Sequence, residues 1–262
     1  MRPLALVLLT ACAAPPADRI ELGEAVLFVA RDCAPDAAGS VPLVVHFQGG
    51  VAAVAAEWRN SGAPGALLVS TLRGRSGAFA GPYRDDPARF AREIAAVEAE
   101  LAARLRRPVR AAPLTVSFFS AGYGAVRELL RDAAWEQRIA TLIALDSIHA
   151  DRARIDEQMA GFVRFARAAT RGDKRFLLVH SAIRTEYAST TECADHLLAA
   201  LGLERHATPR AVAGTALASE ARAGGFEVLA IPGGDAAAHV ACFRFLAFFL
   251  RAMRAAPARD DP

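Results

Sequence analysis

Three side chains that together can do acyl-transfer chemistry occur in the order Ser120, Asp146, His239. Each comes at or after the end of an apolar stretch with strand character. A serine that attacks a carbonyl needs a base to take its proton and a third group to orient that base. Ser120 is followed at once by Ala121, Gly122, Tyr123 and Gly124. A serine on a tight strand-to-helix turn is held in a strained conformation, with its hydroxyl above the sheet edge. Its neighbours must be small because the two backbones approach closely there, and Gly122 meets that demand. The N–H of Ala121, at the start of a helix, is placed to stabilise an oxyanion. The same five residues also suit an ordinary helix cap, so the partners must decide. Asp146 stands just past "ATLIAL", where a carboxylate can orient an imidazole. His239 follows a Gly-Gly-Asp loop at the start of the last helix, where it can reach over the strand ends as a general base.

The elements that must position these groups alternate along the chain. Strands are predicted at 25–30, 41–47, 66–71, 114–119, 140–146, 175–181 and 226–232. Helices are predicted at 87–107, 121–132, 151–169, 190–203 and 237–254. The helix 87–107 carries Phe90, Ile94, Val97 and Leu101 at spacings of three and four. The central strands are nearly continuous apolar runs, as expected of strands covered on both faces in a parallel sheet. Strand–helix alternation with short connections implies right-handed crossovers and a doubly wound α/β domain. In such sheets ligands gather at the carboxyl ends of the strands.

Read at those ends, further candidates emerge. Strand 41–47 runs into Gln48, Gly49 and Gly50, where a second oxyanion donor is expected from Gln48 or Gly49. His46, inside that strand, reads as a core histidine or one that supports the site from behind. His149, His180 and Tyr123 are candidate pocket residues. Arg73 and Arg75 could meet an anionic substrate or stay solvated. The segments 72–87 and 182–190 are the expected pocket rims, and without a large insertion any lid is small. The cysteines show no metal-ligand spacing.

The order serine, acid, histidine, each after a strand, is that of the α/β-hydrolase fold. Over about residues 23–255 the chain resembles a bacterial α/β-hydrolase. The stretches "FSAGYGAVRELL", "LDSIHA", "YASTTECADHLL" and "AAAHVACFRFLAFFL" are similar to a poorly characterised bacterial branch of it. The resemblance implies an eight-stranded type of sheet, a serine nucleophile and no cofactor. It implies cleavage of a carboxylic ester, with thioesters and amides as related substrates. Ser120 would attack, His239 would shuttle protons, Asp146 would fix its tautomer, and Ala121 with Gln48 or Gly49 would form the oxyanion hole. This chain departs from the pattern twice. Phe118 stands where the family usually has glycine. The acid commonly follows the strand that corresponds to 175–181, whereas Asp146 is one strand earlier; Glu186 and Asp235 are the alternatives. Both departures favour a second reading, a non-catalytic envelope lipoprotein of this fold that binds a ligand or partner.

Composition narrows the partners. The net charge is +3 and hydrophobic residues make up 53% of 262, enough for one domain with a large core. Lys174 is the only lysine, and the arginines are scattered among acidic residues without a run of like charge, which argues against nucleic-acid binding. Residues 1–12 read as a signal peptide ending in a lipobox, Leu9-Thr10-Ala11-Cys12, too short to span a bilayer. Residues 13–22 then form a tether and 256–262 a tail. Lipidation at Cys12 would anchor an exported protein to the cell envelope, facing the periplasm or the outer surface. Export would permit at most one disulfide among Cys33, Cys193 and Cys242. The lipid anchor predicts that Cys12→Ser abolishes incorporation of a fatty-acid probe, measured in the expressing bacterium; unchanged labelling rules the anchor out.

Overall fold

The structure, a computed structural model, describes residues 18–255. The stretch read as a signal peptide, with Cys12, and the stretch read as a tail lie outside the described residues. In chain order the elements are β1 (Asp18–Leu22), β2 (Ala25–Val29), β3 (Ser40–Phe47), α1 (Val51–Ser61), β4 (Ala66–Ser70), α2 (Ser76–Asp85), α3 (Arg89–Leu105), β5 (Arg110–Phe119), α4 (Tyr123–Leu129), α5 (Ala133–Arg138), β6 (Ile139–Leu145), α6 (Ile155–Thr170), β7 (Arg175–His180), α7 (Thr190–Leu201), β8 (His206–Ala207), β9 (Ala211–Val212), β10 (Thr215–Ala216), β11 (Ser219–Ala223), β12 (Phe226–Ala230), α8 (Ala236–Phe243) and α9 (Phe245–Ala255).

Ten strands form one sheet in the order β1-β2-β4-β3-β5-β6-β7-β12-β11-β8, and β9 with β10 makes a separate hairpin. The six strands from β4 to β12 run parallel. The outer strands at both edges pair antiparallel. Alternate side chains explain why the parallel strands lack an in–out pattern. In β3, Leu43, Val45 and Phe47 join the layer that holds Phe90, Ile94, Phe162 and Leu197 of α3, α6 and α7. Val44 joins the opposite layer, with Trp58 of α1 and Phe245 and Phe249 of α9. Both faces are apolar because both are covered.

Several local expectations change. Asp18–Leu22, placed in the tether by composition, pairs along its whole length with β2, so these residues belong to the sheet. The rim segment 72–87 contains α2, a helix whose two glycines and Pro82 hide any apolar period and which is held by buried Phe79 and Tyr83. The predicted helix 121–132 is a single 3₁₀ turn, Ser120–Gly122, followed by the short α4. The predicted helix 237–254 divides into α8 and α9. Cys193 and Cys242 are buried in opposite layers, Cys33 is half-buried, and all three are free thiols.

The sharp turn after β5 depends on two glycines. A Cβ on Gly122 would run into the Phe47 carbonyl of β3, and one on Gly124 into the Ser76 carbonyl at the start of α2. Phe118 creates no such conflict. It is fully buried, and its ring lies 6.2 Å from that of Phe162 on α6. The glycine usual at this place is dispensable because the close approach occurs on the far side of the serine. Gly124→Ala should therefore destabilise the fold despite better helix propensity. Overpacking against backbone costs about 1–3 kcal/mol, against about 1 kcal/mol gained from propensity. Urea unfolding checks this.

Candidate active site

Ser120 follows β5 with φ of 49°, a left-handed conformation that a serine adopts only when its surroundings impose it. The imposing groups are visible. Gly122 seats the turn against β3, and the hydroxyl of Ser147 donates to the Ser120 carbonyl at 2.7 Å. Among the described residues six non-glycine positions have positive φ, and four of them, Gln48, Ser120, Asp146 and Ile148, lie at the carboxyl ends of β3, β5 and β6. Backbone strain of this kind clusters at active sites, ligand clamps and switch regions.

Asp146 and His239 meet there. His239 Nδ1 lies 2.8 Å from Asp146 Oδ2, although the two residues are 93 positions apart. The carboxylate also accepts from Ser181, at 3.0 Å from the N–H and 2.6 Å from the hydroxyl. Burial pushes the Asp146 carboxyl up, but these three bonds outweigh it and hold the group below the usual carboxylate range. Phe119 stacks on the imidazole of His239, with centroids 4.4 Å apart and planes 25° apart. Since a carboxylate can only accept, Nδ1 carries the proton in this pair and Nε2 of the neutral ring keeps its lone pair. The Ser120 hydroxyl makes no hydrogen bond among the described residues. Of the alternative carboxylates, Asp235 caps α8 through its bond from the Ala238 N–H. Glu186 lines the cleft in front of the serine.

The loop after β3 is fixed from beneath. His46 is fully buried, with Nδ1 2.7 Å from the Ser117 hydroxyl and Nε2 2.8 Å from the Gln48 carbonyl. A carbonyl can only accept, so Nε2 carries the proton and Nδ1 accepts from Ser117. Burial pushes the pKa of His46 down to about 4. Gln48 is held at φ of 67°, and Gly49 at 147°, open only to glycine. Because the Gln48 carbonyl turns toward His46, the Gly49 N–H of the same trans peptide points the opposite way.

A cleft of about 670 Å³ opens over Ser120, bordered by Gln48, Ala121, Tyr123 and His149 and by Arg75 and Arg184. His149, whose ring packs edge-on against Tyr123 and Tyr187, is therefore a lining residue, as is Tyr123. His180 is not: it is buried beside Thr191 and bonded to Arg205 at 2.9 Å. Arg73 is also outside the lining, two residues short of Arg75. Both expected rims contribute: 72–87 through Gly74, Arg75 and Ser76, and 182–190 through Arg184 to Tyr187. Ser181, Ser147 and Phe119 escaped the sequence reading. Their signal was position alone: each adjoins or shares a strand end with a group already singled out.

No protein-family model matches the sequence, and no curated protein matches it. Among solved structures, a cold-adapted esterase from an Arctic intertidal metagenomic library is similar, with a TM-score of 0.50 and 14% identity over 90% of this chain and 92% of that one. An α/β-hydrolase fold protein from Chitinophaga pinensis matches at TM-score 0.41 and 12% identity, over 91% and 95% of the two chains. An uncharacterised protein from Capnocytophaga ochracea matches at TM-score 0.49 and 12% identity over 90% of this chain, which spans 63% of that protein. The likeness shows the fold: a mostly parallel sheet flanked by helices, of the α/β-hydrolase type.

The buried imidazole of His46 makes stability depend on pH. Its folded pKa, about 4, is below the 6.5 of an unperturbed histidine. The unfolded chain therefore takes up the proton first as pH falls. The contribution is fully present above pH 6.5 and is lost progressively toward pH 4, about 3 kcal/mol in all. In a ring-proton NMR titration His46 should stay neutral down to near pH 4. This part of the acid loss, read by urea unfolding, should vanish in His46→Gln.

Proposed function

We propose that the protein is a serine hydrolase that cleaves a carboxylic ester, with thioesters and amides as related substrates, through an acyl-enzyme on Ser120. The observation that carries this reading is the His239–Asp146 bond at 2.8 Å, formed at the strand edge where Ser120 is held at positive φ. The α/β-hydrolase type of fold supports it at the level of architecture.

In this mechanism substrate binding turns the Ser120 hydroxyl toward Nε2 of His239, since such bonds often tighten only in the Michaelis complex. His239 takes the proton as Ser120 Oγ attacks the ester carbonyl. Asp146 holds the tautomer and stabilises the imidazolium. The N–H groups of Ala121 and Gly49 meet the oxyanion, Gly49 being favoured over Gln48 by the peptide orientation that His46 imposes. His239 then passes the proton to the leaving alcohol, and the acyl-serine remains. Water, deprotonated by the same histidine, attacks the acyl group, and the acid leaves as Ser120 recovers its proton. Asp146, although it follows β6, meets the imidazole because Ser181 at the end of β7 ties the two strand ends together. A lipid anchor at Cys12 would put this chemistry at a membrane of the cell envelope.

A fluorophosphonate probe should label the folded protein on Ser120, read by peptide mass spectrometry. Asp146→Asn should lower kcat by about 10⁴-fold, as wrong-tautomer changes do. Folded protein that stays unlabelled would favour the binding module instead. Full activity in Asp146→Asn, with loss in Glu186→Gln, would move the acid to Glu186.

A further inference from the structure

The cleft over Ser120 is polar, and its composition is unsuited to a lipid-like acyl chain. Of its twelve lining residues none is leucine, isoleucine, valine, methionine or phenylalanine. Its apolar surface is limited to Ala121 and to the faces of Tyr123, Tyr187 and His149. A long hydrocarbon would find little to bury against, although burial is what such ligands bind by. What the cleft does offer is two guanidinium groups. Arg75 stands at the N-terminus of α2, after β4, and Arg184 in the loop after β7. In the order β4-β3-β5-β6-β7 these two strands lie two places to either side of β5, which carries Ser120. Arg75 is carried in closer than its strand: the carbonyl of the next residue, Ser76, packs against Gly124, four residues after Ser120.

Neither guanidinium group has an ion pair or hydrogen bond among the described residues, and both residues are exposed. The neighbouring rim behaves differently. Arg152 is bound to Glu192 and to the carbonyls of Thr185 and Glu186, and Arg154 pairs with Glu157. Arg152 braces the loop and Arg154 is held on its own helix, whereas the guanidinium groups of Arg75 and Arg184 are free for a ligand. The remaining ionisable groups facing the cleft are Glu186, His149 and the two tyrosines. Burial pushes His149 down, so its ring is neutral at pH 7, and the one carboxylate leaves positive charge in excess. Arginine's planar fork matches a carboxylate in bidentate fashion.

We propose that the preferred substrate is an ester bearing a second, free carboxylate, on either its acyl or its alcohol part, gripped by Arg75 and Arg184. This rests on the serine-hydrolase reading of the same cleft. Two matched pairs test it. In the first, the mono-4-nitrophenyl ester of adipic acid is compared with its neutral methyl ester, which places the charge on the acyl part. In the second, 3-carboxyphenyl butyrate is compared with its methyl ester, which places it on the leaving group. In at least one pair kcat/KM should be about tenfold higher for the charged member. That ratio should shrink at high salt and approach one in Arg75→Gln/Arg184→Gln. Independently of turnover, calorimetry with Ser120→Ala should show binding of monomethyl adipate, weakened about tenfold by the same arginine pair of substitutions. Ester turnover with a ratio near one in both pairs overturns the anion assignment and leaves the hydrolase standing. Arginine-dependent adipate binding without turnover or probe labelling removes the hydrolase and keeps the anion site. Adipate binding that is absent, or indifferent to the arginines, overturns the anion site.

Discussion

A carboxylate buried at the top of a parallel sheet organises this molecule's working edge. Asp146 has a side chain 3% exposed, and an unpaired charge so placed costs several kcal/mol. Three donors offset that cost, and they come from two further elements: the N–H and hydroxyl of Ser181, after β7, and the imidazole of His239, in α8. Satisfying one charge therefore joins the ends of β6 and β7 to the helix that follows β12. The same turn continues into Ser147, whose hydroxyl holds the Ser120 carbonyl after β5. One short segment thus ties together three neighbouring strand ends and a helix, and it tolerates positive φ at Asp146 and Ile148 in doing so.

On the other side of β5 the constraint is steric rather than electrostatic. Gly122 and Gly124 let the turn and α4 close onto β3 and α2, which leaves Ser120 little choice of backbone. Phe118, two residues before the serine, is absorbed by the aromatic layer beneath, through Phe162 and then Phe176. Crowding at Phe118 and the tight turn at Ser120 are therefore separate matters, solved on opposite sides of one strand.

The parallel strands and the long helices were legible because their burial leaves a direct trace: nearly continuous apolar runs in β3 and β6, and a period of three and four in α3 and α6. Ser120, Asp146 and His239 stood out for a topological reason, since strand ends in such a sheet converge on one edge. What stayed hidden lacks either trace. Helix α2 has only Phe79 and Tyr83 to mark it. Strand β11 carries Glu220, buried beside Arg210 and Arg222 on the face opposite Ala221, so it lacks an apolar run. Ser181 is a small hydroxyl whose importance appears only once β6 and β7 are side by side. The difference between Arg73 and Arg75 is two residues of loop, and no pattern of residue types resolves it.

The His46–Ser117 bond gives the edge a further property. It links β3 to β5 below the surface and holds the Gln48 loop without help from any rim segment. The rims have supports of their own, Arg152 for 182–190 and the packing of α2 for 72–87. In the proposed reading the catalytic groups sit on the strand ends and the anion-binding groups on the rims, with α2 joining the two where Gly124 packs against Ser76. On that reading the two can drift at different rates under selection: side chains on the rims can be exchanged while the groups at the strand ends keep their alignment. In this architecture novelty enters from the outside of the cleft, and the interior sets how little of it needs to change.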